Sequence, residues 1–366
     1  MQQSDRFVTG VNEALGDGKS PLTVLSVAYP LMTVGKGQAG GAEEILRLID
    51  AHLTRSGNRS IVIAGAGSQV EGELVSTPAM RAELADDERV HARQEQLRTI
   101  ESVLATRHVD LLHFHGLDFL DYRPRHSPVP ELATLHLPIS WYPPDLFEQE
   151  NVTFNFVSES QARSAPVRCE VPVIANGVDL EQLFVSPEKG NYLLWLGRIC
   201  PEKGPHIALR VAHQLKRPLV LAGPLHSFAA HRDFYTEEVA PHLDSGRTYI
   251  GPVSGARKSR LLSEAACLLV PSLAEETSSL VAMEAIASGT PVVAFGSGAL
   301  PEVVDQEVTG YIVHSEEEMS SAINFAERLS PSECRAVAEN RFSGEKMSQQ
   351  YLELYRTLVS RPKQRA

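Results

Sequence analysis

Cysteine is scarce in this chain of 366 residues. The four present, Cys169, Cys200, Cys267 and Cys334, form no CxxC pair and stand in no His-rich tract. Such spacing argues against a zinc cage or a disulfide framework and predicts free thiols in a reducing compartment. Long apolar runs are missing too: none approaches the ~18 residues a membrane-crossing helix needs. The first residues show no charged head followed by an apolar core, so no secretory leader is expected and a cytoplasmic location is. Positive charge is in deficit, with 34 Lys and Arg against 46 Asp and Glu, a formal net charge of −12. This disfavours nucleic acid as a partner, since phosphate backbones are met by basic surfaces. It gives no membrane signal either, because anionic lipid attracts clusters of Lys and Arg. Residues 1–170 alone carry 15 Lys and Arg against 23 Asp and Glu, with no polybasic run or basic amphipathic helix. Repeats, low-complexity tracts and an Asp-x-Asp metal motif in a suitable loop are likewise absent, and no metal site is expected.

What is present is a full complement of core-forming residues. The hydrophobic fraction is 43%, and the length suits two domains of ordinary size. Short β-branched runs alternate with helical patterns. Leu22–Tyr29, Ser60–Ala64, Val109–Phe114, Glu131–Leu135 and Thr153–Val157 read as one set of buried strands. Between the first two, apolar positions at Ala42, Ile45, Leu46, Leu48, Ile49 and Leu53 predict a helix. A pause rich in proline follows, including Asn176-Gly177, and a second set begins: Tyr192–Gly197, Pro218–Ala222, Thr248–Ile250, Ala266–Pro271, Pro291–Phe295 and Gly310–Val313. The expected fold is α/β, with two doubly wound, Rossmann-like parallel-sheet domains facing a cleft. The expected divisions are 1–170, a linker at 171–190, a second domain at 191–342 and a final helical segment at 343–366.

Residues 270–291 carry most of the chemistry. Glu276 and Glu284 are separated by seven residues, and Leu280, Val281 and Met283 begin an apolar helical pattern that Gly289 stops. The reading is strand, turn, then a buried helix whose N-terminus lies near Thr277–Ser279. Such a terminus offers free N–H groups and partial positive charge, which suit phosphate. Eight helical residues span roughly 12 Å, so the two carboxylates can serve opposite ends of one extended ligand. Arg198 and Lys203 bracket the turn after the strand that ends at Gly197, where two cations suit a diphosphate and offset charge developing on it. Gly40 and Gly41 lie at a strand-to-helix turn where backbone can approach a ligand closely. His113, His115 and His136 stand at the ends of first-domain strands. His113 is read as structural, and a metal pair with His115 as disfavoured, on the expectation that strand alternation turns the two to opposite faces.

Glu276 and Glu284 together resemble the Glu-x7-Glu signature of retaining glycosyltransferases of the family 4, or group 1, type. The resemblance extends through Gly40-Gly41-Ala42-Glu43, His136, Asn176-Gly-Val-Asp179 with Phe184, Gly197-Arg198, Glu202-Lys203-Gly204 and Gly251-Pro-Val253 to a tail helix at Glu345–Leu358. It implies the GT-B fold, with Ser343–Ser360 crossing back onto the first domain. It implies transfer of a sugar from a nucleoside diphosphate, most readily a UDP-sugar, to a hydroxyl of a soluble acceptor, with retention and without metal or other cofactor. In this pattern His136, Glu276, Arg198 and Lys203 are the catalytic set. Gly40, Gly41, Gly197, Val253, Ser278, Ser279, Leu280 and Glu284 hold the donor, with Glu284 on the ribose hydroxyls. His115 and Asn176 are candidates for the acceptor side of the cleft. The chain departs from the pattern at Ser278-Ser279, where an aromatic and a glycine are usual. A nucleotide-sugar epimerase or hydrolase, or a silent nucleotide-sugar-binding protein, are the alternative readings. A monomer or homodimer is expected.

Overall fold

The computed structural model describes residues 20–36, 40–78, 86–166 and 173–361. Cys169 and part of the Gly35–Gly41 loop fall outside them. Two six-stranded parallel sheets carry the chain. The first holds β1 (Thr23–Val27), β2 (Arg59–Gly65), β3 (Glu73–Thr77), β4 (Leu111–Phe114), β5 (Glu131–Leu135) and β6 (Val152–Phe156), in the order β3-β2-β1-β4-β5-β6. The second holds β7 (Leu193–Leu196), β8 (Leu219–Ala222), β9 (Arg247–Tyr249), β10 (Cys267–Val270), β11 (Val292–Phe295) and β12 (Gly310–Val313), in the order β12-β11-β10-β7-β8-β9. Each sheet reverses its order once, between β1 and β4 and between β7 and β10. Ligands of open α/β sheets bind beyond the carboxyl ends of the strands at such reversals.

Helices cover both sheets. They are α1 (Gly41–Arg55), α2 (Asp86–Thr106), α3 (Glu159–Ser164), α4 (Pro205–Gln214), α5 (Ala229–Phe234), α6 (Gly255–Glu264), α7 (Leu280–Ala287), α8 (Leu300–Val303), α9 (Glu316–Ala326), α10 (Pro331–Arg341) and α11 (Gly344–Ser360). The four inner strands of each sheet are almost wholly buried, which explains their unbroken apolar reading. Two elements escape the sequence pattern. β3 is largely half-buried, and α2 is rich in charge with a weak apolar stripe, so neither shows a clear period.

The final helix belongs in space to the first domain. Its buried face, with Met347, Tyr351, Leu352, Tyr355 and Leu358, joins Val24, Ile45, Ile49, Leu111 and Leu132 in one cluster. A polar chain crosses this contact. Tyr355 Oη and His113 Nδ1 are 2.8 Å apart, His113 Nε2 and Thr134 Oγ1 2.8 Å, and Thr134 Oγ1 donates to Asn155 Oδ1 at 2.5 Å. Asn155 Nδ2 donates in turn to Tyr351 Oη at 3.1 Å. Because the Thr134 proton goes to Asn155, His113 carries its hydrogen on Nε2 and accepts from Tyr355 through Nδ1.

Candidate active site

The loops that follow β1, β5, β7 and β10 enclose a cleft of about 800 Å³ between the two sheets. Its size lies within the range of ordinary small-molecule sites. All of His136, Glu276, Arg198, Lys203, Gly40, Gly41, Gly197, Val253, Ser278, Ser279, Leu280, Glu284, His115 and Asn176 line it.

The second-domain wall is built from ion pairs. Lys203 follows β7 in a single 3-10 turn, and its backbone carbonyl accepts from Trp195 Nε1 at 3.1 Å, which ties the turn to the core. The Lys203 ammonium meets Glu276 Oε1 at 2.6 Å, and the hydroxyl of Ser272 donates to the same oxygen. Glu276 is further fixed from behind. Gly298 has φ +57, and a Cβ there would come within 2.2 Å of the Glu276 carbonyl oxygen, so only glycine lets the two segments touch. Glu284 pairs with Lys258 of α6, Nζ to Oε1 at 2.6 Å. Arg198 forms no ion pair among the described residues, and its guanidinium is the cation on this wall without a carboxylate.

Residues 276–279 are not helical, and α7 starts at Leu280. Glu284 therefore lies just over one turn into the helix, not two, and the 12 Å helical spacing does not apply. Ser279 caps α7 with φ 55 and ψ 67, the left-handed region that the usual glycine enters freely. The hydroxyls of Ser278 and Ser279, both buried, have no partner.

The first-domain wall has a different character. Gly40 precedes α1, and Gly41 faces Leu280 across the cleft, where a Cβ would stand 3.3 Å from the leucine methyl. The Glu43 carboxyl folds back over Gly40, and its burial raises its pKa. His136 Nε2 lies 3.1 Å from His115 Nδ1, with the rings stacked at 19°. Alternation gives the reverse of the expectation for His113 and His115: residues two apart share a strand face, and their ring centroids are 4.0 Å apart. Burial holds the His136 pKa down to about 3, and burial with the neighbouring imidazoles lowers His115 well below its usual value. These rings act as neutral hydrogen-bonding groups at pH 7. His115 Nε2 and Asn176 Oδ1 are buried without partners. With Ser259 Oγ, also buried without a partner, five such polar atoms around one cleft call for ligand groups, because a buried donor or acceptor left alone is costly.

Among the described residues, polar contacts join the domains at Thr277 and at Glu302. Thr277 Oγ1 donates to the His136 carbonyl at 2.8 Å. Glu302 of α8 accepts the backbone N–H groups of Glu159 and Ser160, at 3.0 and 2.5 Å, and pairs with Arg163 at 3.1 Å. Sequence reading missed Ser272, Lys258, Gly298 and Glu302. Each works through a partner that folding brings near, so no local spacing marks it.

Residues 190–327 match the family model described as glycosyl transferases group 1. A D-inositol 3-phosphate glycosyltransferase of Corynebacterium urealyticum is 28% identical over 228 residues, 54% of this chain and 53% of that protein. The chain thus spans about a third to a half of the length of the curated relatives it matches. Among solved structures, AviGT4, a glycosyltransferase involved in avilamycin A biosynthesis, superposes with a TM-score of 0.73 at 26% identity, over 93% of this chain and 98% of that one. The Anabaena protein HepE, solved with UDP and glucose, shares the fold at a TM-score of 0.70 and 19% identity, over 92% and 100% of the chains. The match is confined to the region that carries both glutamates, where the chain resembles the group 1 glycosyl transferases, and the two-sheet frame, shared nearly end to end with these structures, is the GT-B fold.

Proposed function

We propose that the protein transfers a sugar, with retention of configuration, from a nucleoside diphosphate to a hydroxyl of a soluble acceptor. A UDP-sugar is the favoured donor. The observation that carries the reading is the paired arrangement of Glu276 with Lys203 and Glu284 with Lys258 in one cleft beside an unpaired Arg198. Glu284 is suited to accept from two vicinal ribose hydroxyls, and Glu276 from hydroxyls of the sugar. A hydroxyl that takes Glu276 frees the Lys203 ammonium for the diphosphate, where Arg198 and the N–H groups at the start of α7 join it. These groups meet the charge that develops on the leaving diphosphate, so no divalent cation is required. The base lies against Pro252 and Val253.

His136, neutral and held by His115, is a hydrogen-bonding group for the sugar rather than a cation. Lysines engage Glu276 and Glu284, Arg47 engages Glu44 and Asp179, and the Glu43 carboxyl is folded back over Gly40, so no covalent nucleophile is assigned among the carboxylates of the cleft. The acceptor hydroxyl therefore attacks from the face the diphosphate leaves, and a phosphate oxygen takes its proton. The contacts of Thr277 and Glu302 across the cleft close the site against water. That UDP is the nucleotide bound in the Anabaena neighbour supports the donor choice.

Thermal shift with UDP, GDP, ADP and their sugar conjugates, with and without EDTA, tests the reading. A ligand bound only by the folded state stabilises it by about 2.7 kcal/mol at a hundredfold excess over its Kd. One nucleotide should raise the Tm independently of metal, and Glu284→Ala should abolish the shift. No shift with any nucleotide would end the proposal. Binding without transfer to any acceptor would favour a silent binder, and release of free nucleotide diphosphate without acceptor an epimerase or hydrolase.

A further inference from the structure

The first-domain wall of the cleft carries information about the acceptor, provided that the transfer reading above holds. Its described lining includes no lysine or arginine. It offers Tyr29, Met32, Leu117 and Tyr142 as surfaces, and His115 and His136 as polar groups. Two cations, Arg93 and Arg89, act on Tyr29, and neither lines the cleft; Asp118 holds Arg93 at 2.6 Å and Asp121 at 3.0 Å. The charged groups that do line this side are carboxyls: Glu43, itself 7% exposed, and Glu44, which Arg47 engages from outside the lining. Every cation lining the cleft, Arg198, Lys203 and Lys258, stands on the opposite domain among the donor-side groups.

His115 supplies the polar anchor. It is 3% exposed, its Nδ1 is engaged by His136, and its Nε2 has no partner. A neutral imidazole nitrogen either donates or accepts, according to the tautomer. A hydroxyl can do both and satisfies Nε2 in either form. A phosphate or carboxylate can only accept, and it would also enter a wall with no cation and a carboxyl at its rim. Aromatic and thioether surfaces beside such an anchor suit the C–H face of a ring that carries hydroxyls.

We propose that this wall takes an uncharged acceptor, a polyhydroxylated ring with an apolar face, one hydroxyl of which bonds His115 Nε2, and that it rejects phosphorylated and carboxylated forms of the same ring.

The test uses the full chain with UDP-sugars and a pool of matched pairs: myo-inositol and its 3-phosphate, glucose and glucose 6-phosphate, phenyl glucoside and phenyl glucuronide. Products are identified by mass spectrometry. Uncharged members should be glycosylated with a kcat/KM at least tenfold above their charged partners. A charged member used better than its partner overturns the proposal. So does product from charged members alone. Failure of the underlying reading looks different, because then no nucleotide raises the Tm or no member of the pool, charged or uncharged, is glycosylated. Two variants locate the contact. His115→Asn keeps an amide near the Nδ1 position, facing His136, and removes Nε2, so the acceptor KM should rise about tenfold while the nucleotide Kd is unchanged. His115→Gln, whose amide reaches the Nε2 position, should recover part of that loss. An unchanged acceptor KM in His115→Asn removes His115 from the site and overturns the proposed contact.

Discussion

The two walls of the cleft solve the problem of buried polarity in opposite ways. The second-domain wall keeps its charges and pairs them: Glu276 with Lys203, Glu284 with Lys258. The first-domain wall gives up charge at its histidines. His113, His115 and His136 are neutral, and they are joined to each other and to Thr134, Asn155, Tyr351 and Tyr355 by hydrogen bonds and ring contacts. A paired wall can exchange its partners when a charged ligand arrives. A neutral wall can only complete its hydrogen bonds. The contrast matches a diphosphate on one side and a hydroxylated ring on the other.

Acid should break the comparison most strongly. The three imidazoles have folded pKa values below the usual 6.5, so the unfolded chain binds their protons more tightly. Their stabilisation is complete above about pH 6.5 and is lost as the pH falls toward the folded values. At pH 5 the loss approaches about 2 kcal/mol for His136, and His113 and His115 add to it in the same direction. Hydrogen exchange should then open β4 and β5 before β7 and β10. Equal loss in both sheets would remove the distinction drawn between the walls.

On the other wall, Lys258→Met leaves Glu284, 14% exposed at its side chain, without its cation. Calorimetry should show a loss of about 1–3 kcal/mol, the cost of a poorly solvated group left alone. Saturating nucleotide should restore part of it, because ribose hydroxyls then occupy the carboxylate. The walls can also be uncoupled. Glu302→Ala removes the carboxylate that accepts from Glu159 and Ser160. Each domain should keep its stability, while kcat falls several-fold and the radius of gyration with bound nucleotide rises. An unchanged radius with normal kcat would show that this contact does not hold the domains together. The smallest effect is expected at Ser279, whose φ of 55 glycine enters without strain. Ser279→Gly should raise stability by about 1 kcal/mol, measured as a higher Tm.

The frame was largely legible in the sequence because buried parallel strands write themselves as unbroken apolar runs. Glu131–Leu135 and Gly310–Val313 were read to the residue, and the helix beginning at Gly41 from its apolar spacing. β3 and α2 were not, since a half-buried strand and a charge-rich helix lack a period. At the site, the residues that stand at strand ends could be found from the motif they resemble. Their partners could not. Lys203 and Glu276 are 73 residues apart and Lys258 and Glu284 are 26, so the pairs exist only once the sheet is assembled. The left-handed Ser279 was visible as a departure from glycine, though its backbone angle was not. The shared face of His113 and His115 followed from strand periodicity and was read the wrong way round.

α11 closes the first domain with residues made after the whole second domain. Until Tyr351 and Tyr355 leave the ribosome, His113 and Asn155 lack their phenol partners, and Leu111 and Leu132 lack their cover. The order of synthesis and the order of completion are therefore inverted: the domain begun first is finished last. A nascent chain stopped after β6 but before residue 344 presents an apolar face and an unsatisfied polar row on the sheet that carries His136, and quality-control factors that read such surfaces would meet it there.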